Sequence, residues 1–217
     1  MNLPKLVIFD MDGLIFDTER LFMQEKNKIL IEYGYPAREE DYIQTIGLAG
    51  ETLAAKLAEL YGADYPADEI SAKTRENVNA SIKVHGPEIK PGIRRLLDWL
   101  KTKNIPCCVA SSTLREHVEH YLSLAGLSSY FSFIIGGAEA KRSKPAPDIF
   151  LTCCTHYGTQ PQQALVLEDS ENGVLAAAAA GIPVLCIPDL KEPAPGIAQK
   201  AAAVLESAED VIAFLES

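Results

Sequence analysis

The 217-residue sequence predicts an α/β fold: a doubly wound parallel sheet interrupted by an all-helical insertion. Three observations carry this expectation. Five short apolar runs are continuous rather than alternating, the pattern of strands covered on both faces. Segments with helical spacing lie between most of them. One long stretch, from about residue 20 to residue 85, holds helical segments and no convincing strand.

The apolar runs fall at 6–9, 106–110, 131–135, 164–167 and 183–187. Between them, Ile93, Leu96, Leu97 and Leu100 repeat at helical spacing within 93–103, and segments 115–124 and 148–157 follow the same logic. Segment 172–180 is alanine-rich and stops at Gly181, a residue type suited to closing a helix. Inside the insertion, 21–33, 51–61 and 67–84 read as amphipathic helices, broken by Gly34-Tyr35-Pro36 and by 62–66. The chain returns through His85-Gly86-Pro87 and Pro91-Gly92, which are turn formers. Two crossings make the insertion a subdomain that moves relative to the core. The expected division is an α/β core of residues 1–17 and 87–217 and a helical subdomain of 18–86.

Formal net charge is −10, which argues against nucleic acid as the main partner. A small anion stays compatible, because local charge can oppose global charge. The first apolar run stops at Asp10 and is too short for a signal-peptide core or a membrane span. No later apolar run reaches about 18 residues, so a cytoplasmic location without membrane contact is expected. An acidic surface fits a monomer or a homodimer. The five cysteines, at 107, 108, 153, 154 and 186, form no CxxC pair and are expected as buried reduced thiols.

The polar residues are informative because of where they fall. Asp10, Asp12, Asp17 and Glu19 crowd four carboxylates into ten residues at the mouth of the first strand. The second run ends in Ser111-Ser112-Thr113 and the fourth in Glu168-Asp169. These are C-terminal ends of parallel strands, the edge at which open α/β sheets bind ligands. Lys144, on the loop after the third strand, can reach the same edge. Taken singly, an aspartate at a strand end is a turn residue, Ser111 a helix cap and Lys144 a solvated lysine. Together, several carboxylates with one lysine make a site for a hard divalent cation, best magnesium, and leave positive character facing a phosphate.

Four ordered segments carry a family resemblance. DMDGLIFDTE at 10–19, VASS at 109–112, KPAPDIF at 144–150 and LEDSENG at 167–173 resemble the motifs of the haloacid dehalogenase superfamily. The helical insertion falls where that family places its cap, and the likeness spans essentially the whole chain. The nearest groups are β-phosphoglucomutase-like and phosphoglycolate-phosphatase-like members, built on a Rossmann-like core. The resemblance implies a magnesium-dependent phosphatase acting on a small phosphorylated metabolite. Asp10 is then the nucleophile that forms an aspartyl-phosphate. Asp12 is the general acid and then the general base. Magnesium is held by Asp10, the backbone carbonyl of Asp12, and Asp169, with Glu168 acting from behind or through water. Ser111 and the amide of Ser112 hold the phosphoryl oxygens, and Lys144 neutralises the charge. Asp17-Thr18 reads as the hinge and cap of the first inserted helix.

The mutase relatives carry a histidine and an arginine in the cap, where this sequence has Phe22 and Gly50. That disfavours a mutase and favours a phosphatase. Arg75 aligns with a substrate-binding lysine of the same relatives, so substrate choice is expected near Phe22, residues 46–52 and Arg75. A phosphosugar mutase remains the alternative within the family. A non-catalytic phosphate-binding or receiver-like protein is the alternative outside it.

Overall fold

A computed structural model describes residues 3–217. Met1 and Asn2, at the start of the expected core, lie outside the described residues. The chain divides into two compact units, residues 3–17 with Pro87–Ser217, and Thr18–Gly86.

The first unit is a six-stranded, wholly parallel sheet in the order β3-β2-β1-β4-β5-β6. The strands are β1 (Leu6–Phe9), β2 (Cys107–Ala110), β3 (Phe131–Ile135), β4 (Ala164–Glu168), β5 (Val184–Cys186) and β6 (Ala203–Val204). This is the doubly wound architecture that the continuous apolar runs predict. Every residue of β1, β2, β4 and β5 is buried, which explains why their runs do not alternate. One face of the sheet packs Leu6, Ile8, Cys108, Val166 and Val184 against Phe150 and Cys153 of one helix and Ala176 and Ala177 of another. Small alanines let that second helix lie close to the strands. All five cysteines are free and buried, and burial pushes the Cys107 thiol up to about 12.

The helices of this unit follow those of the insertion along the chain. They are α5 (Ile93–Thr102), α6 (Arg115–Leu124), α7 (Asp148–Tyr157), α8 (Glu171–Ala180), α9 (Pro195–Ala198) and α10 (Asp210–Glu216). The strand order departs in both directions from the middle: β1, β2, β3 run one way and β4, β5, β6 the other. The direction of winding therefore reverses between β1 and β4, the point at which such sheets open a crevice for ligands. Backbone bonds fix the register there: Asp10 N–H donates to the Leu167 carbonyl at 3.0 Å, and Ile187 N–H to the Glu168 carbonyl at 2.7 Å.

The second unit comprises α1 (Thr18–Glu32), α2 (Glu39–Ile43), α3 (Gly50–Tyr61) and α4 (Ala67–His85). It contains no strand among its described residues. Helices α1 and α4 pack together. Ile29, Leu30 and Ile70 form a small core beneath Tyr33, Tyr35, Tyr61 and Tyr65. Tyr61 and Tyr65 stack with centroids 4.7 Å apart, and Tyr35 meets Tyr65 edge-on at 5.2 Å. Tyr42 donates to Glu19 Oε2 at 2.9 Å, fastening α2 to α1.

The two passages of chain between the units are themselves bonded within the first unit. Asp17 N–H donates to the Glu88 carbonyl at 2.9 Å, and Lys90 N–H to the Ile15 carbonyl at 2.9 Å. Among the described residues no helix is long and apolar enough to cross a membrane.

Candidate active site

The site begins where β1 ends. Asp10 follows Phe9 directly, and the chain then turns back at once: Gly13 N–H donates to the Phe16 carbonyl at 2.9 Å, and Ile15 N–H to the Met11 carbonyl at 2.9 Å. Gly13 sits at φ +76°, and a Cβ there would strike the Asp169 carboxylate. A positive φ and a close approach at one position leave only glycine. The turn holds Asp10 near Asp169, although 159 positions separate them in sequence.

Lys144 links the two sides of the crevice. Its ammonium donates to Asp10 Oδ1, to Glu168 Oε1 at 2.6 Å and to the Ala110 carbonyl at 3.1 Å. Its side chain is only 6% exposed, which removes the reading as a solvated lysine. The peptide that follows it, Lys144–Pro145, is cis. The other oxygen of Glu168 accepts from the amides of Asp169 and Ser170, at 3.0 and 2.9 Å, and from the Ser170 hydroxyl at 2.9 Å. Gly173 makes room for this carboxylate, because a Cβ there would overlap it. Ser170 also caps α8, its Oγ accepting from Gly173 N–H at 3.1 Å.

One lysine cannot neutralise this many buried acids, and the three groups are displaced in different directions. Burial alone would raise Glu168, but Lys144 and the Ser170 donors outweigh it and hold the carboxyl below its usual range. Burial would lower Lys144, but Asp10 and Glu168 overcome this and keep it charged well above its ordinary value. Asp10 is left short: burial, with Glu168 and Asp12 nearby, pushes it up to about 7 despite Lys144. Asp10, Glu168 and Asp169 each place an oxygen within 4.8 Å of the others. A crowded set of carboxylate oxygens with too little positive charge fits a hard divalent cation such as magnesium.

The Asp12 side chain has hydroxyl partners. Its Oδ2 accepts from the Thr113 hydroxyl at 2.7 Å and from the Ser111 hydroxyl at 3.4 Å. Ser111 is fully buried, and its Oγ accepts from Thr113 N–H at 3.0 Å. The Tyr121 phenol on α6 is raised to about 12, first by burial and then by the Asp12 charge. Ser112 is exposed and borders a small polar pocket with Ser143 and Lys144.

The structure thus gathers Asp10, Asp12, Ser111, Lys144, Glu168 and Asp169 at one sheet edge, with Ser112 at its border. Phe22 and Arg75 belong to the other unit. Phe22 is half-buried on α1, while Arg75 is exposed on α4 and donates to Ser71 Oγ at 3.0 Å. Sequence reasoning missed Thr113, Tyr121, Ser170 and Gly173 as parts of the site. Thr113 closes the polar triplet after β2, and Ser170 and Gly173 lie inside the LEDSENG segment, so a signal existed for three of the four. Tyr121 is one aromatic on a helix and carried none.

Comparison with known proteins identifies the family of the chain. The family model for haloacid dehalogenase-like hydrolases matches residues 7–187. A probable pseudouridine-5'-phosphatase of Drosophila melanogaster is 38% identical over 190 residues, covering 84% of this chain and 80% of the relative. A fructose-1-phosphate phosphatase of Escherichia coli is 32% identical over 176 residues, covering 81% and 92%. The crystal structure of a protein described as a β-phosphoglucomutase from Thermotoga maritima superposes with a TM-score of 0.79 at 26% identity, over 98% of both chains. The chain belongs to the haloacid dehalogenase-like hydrolase family.

Proposed function

We propose that this chain is a magnesium-dependent phosphatase that hydrolyses a small phosphate monoester of a sugar or nucleoside through an aspartyl-phosphate. The observation that carries the reading is the buried Asp10–Lys144–Glu168 chain, with Asp12 two residues from Asp10 and under separate hydroxyl control. A nucleophile, a cation for the transferring phosphoryl group and an independently held acid are what two-step phosphoryl transfer requires. The phosphatase relatives support the reaction class, and their named substrates support a sugar or nucleoside monoester.

In this reading Asp10 attacks phosphorus. The ester P–O bond breaks, and its electron pair stays on the leaving oxygen, which takes a proton from Asp12. The ionised Asp12 then removes a proton from water as that water attacks the phosphoryl group. The P–O bond to Asp10 breaks, releasing inorganic phosphate and returning both aspartates to their starting states. Ser111 and the Ser112 amide bind phosphoryl oxygens, and Lys144 offsets their charge. Asp10, the Asp12 carbonyl and Asp169 would hold magnesium, with Glu168 behind them; when bound, the ion supplies charge neutralisation at the phosphate. Phe22, residues 46–52 and Arg75 of the helical unit select the substrate.

The test is a phosphate-release screen of the purified protein against small monoesters, with magnesium or EDTA, beside Asp10→Asn. Turnover by the wild type with magnesium is expected, with loss of roughly 10⁴-fold or more for the variant. A near-normal rate for Asp10→Asn would refute the nucleophile, and full activity in EDTA would refute the metal. Isomerisation of a hexose phosphate without phosphate release would establish a mutase instead.

A further inference from the structure

We propose that Lys90 and Asp189 form a pair that sets the affinity of the metal site: Asp189 strengthens the hold on a divalent cation and Lys90 restrains it. Both are positioning residues that act through Asp169. This rests on the magnesium reading given above.

Asp169 and Asp189 leave the sheet side by side. Glu168 and Cys186 are partners across β4 and β5, and Ile187 N–H donates to the Glu168 carbonyl at 2.7 Å, so the residues after each strand emerge at the same edge. Gly13 marks how near the two carboxylates come: a Cβ there would strike the Asp169 carboxylate and lie 3.3 Å from Asp189 Oδ2. The Lys90 ammonium donates to Asp189 Oδ1. The pair is sheltered, with the Asp189 side chain 4% exposed and that of Lys90 18%. Lys90 is also tied to the turn that carries the site. Its N–H donates to the Ile15 carbonyl at 2.9 Å, and Ile15 N–H donates to the Met11 carbonyl at 2.9 Å.

Charges this near and this well sheltered act on one another strongly, because little water screens them. The Asp189 charge beside Asp169 favours a cation at the edge and disfavours the empty site. Lys90 opposes both effects. Asp189 is not one of the three carboxylates whose oxygens lie together, which are those of Asp10, Glu168 and Asp169. Its influence is therefore exerted on a ligand from outside. Support of that kind changes metal affinity by about 10- to 100-fold.

A merely structural pair would lose affinity whichever partner is removed, whereas a pair that sets charge gives opposite signs. The experiment titrates magnesium into the metal-free protein by calorimetry, with no substrate present. The proteins are the wild type, Lys90→Gln, Asp189→Asn, the two changes together, and Asp169→Asn. Asp189→Asn should raise the magnesium Kd about 10-fold or more. Lys90→Gln should lower it by about 3- to 10-fold. Joining the two changes should return it to within about 3-fold of the wild type. The rise in melting temperature on adding magnesium should follow the same order. Weaker binding in both single variants, or no change in either, would overturn the role of the pair. Absence of binding by the wild type, or unchanged binding by Asp169→Asn, would overturn the metal reading and this inference with it. Lys90→Met and Asp189→Ser make the same charge changes and carry the test if a first variant does not fold.

Discussion

Glu168 and Glu25 are both buried glutamates, one in each unit of the chain, and they are held in opposite ways. Glu168 shares Lys144 with Asp10, and the lysine side chain is 6% exposed. It also accepts three donors from the turn into α8. Glu25, on α1, is paired with Lys28, whose side chain is 64% exposed. Its other oxygen accepts from Asn77 Nδ2 only at 3.4 Å. A buried ion pair has one geometry and is costly to break, whereas a pair open to water rearranges cheaply. The contrast assigns fixed chemistry to the sheet edge and adaptable surroundings to the helical unit.

The sharpest way to break this contrast is Lys144→Met. It leaves two buried carboxylates without their cation, so a loss of about 3–5 kcal/mol is expected together with loss of turnover. Urea unfolding in EDTA would measure it, and a loss below about 1 kcal/mol would mean that the site is wetter than its burial implies.

The next effect is one of pH. In metal-free protein the carboxyl of Asp10 sits at about 7 when folded and 3.8 as a free group. Between those values the folded state binds the extra proton, so the Asp10 contribution to stability falls as pH rises and levels off above about 7. Asp10→Asn removes this contribution. Its melting temperature in EDTA should therefore fall less than that of the wild type between pH 5 and about 8. Parallel curves for the two proteins would contradict the raised value.

Gly173→Ala should cost about 1–3 kcal/mol, because the added methyl group competes for the space of the Glu168 carboxylate. Thermal melting reads it directly. At the small end, Glu25→Gln should change stability by less than about 1 kcal/mol, because its ionic partner is solvated. A loss as large as that of Lys144→Met would erase the difference between the two units.

Much of this was legible in the residues. The continuous runs specify five of the strands, and in four of them burial on both faces leaves no polar position for alternation, while β3 exposes Ser132. The sixth, Ala203–Val204, is two residues long and carries no period to read. Helix α2, Glu39–Ile43, is five residues long and likewise falls below the length at which helical spacing becomes visible. The acidic strand ends and Lys144 were legible because parallel strands bring their C-terminal ends to one edge. What stayed hidden was how one side chain holds another. That Thr113 meets Asp12 alongside Ser111 is a matter of how the chain packs after β2, where Gly137 sits close against the Ser112 backbone. That Glu168 fits behind Lys144 depends on the missing side chain at Gly173. Such details belong to packing, which residue type and spacing leave open.

Peptide mapping by mass spectrometry, after a rapid acid quench of the enzyme turning over a monoester with magnesium, reads the aspartyl-phosphate itself. Asp12→Asn serves as the protein in which the second step is slowed. The account predicts one added phosphoryl group on the peptide that carries Asp10, absent when Asp10 is asparagine. A phosphoryl group on any other residue, or turnover with none at any quench time, would contradict it.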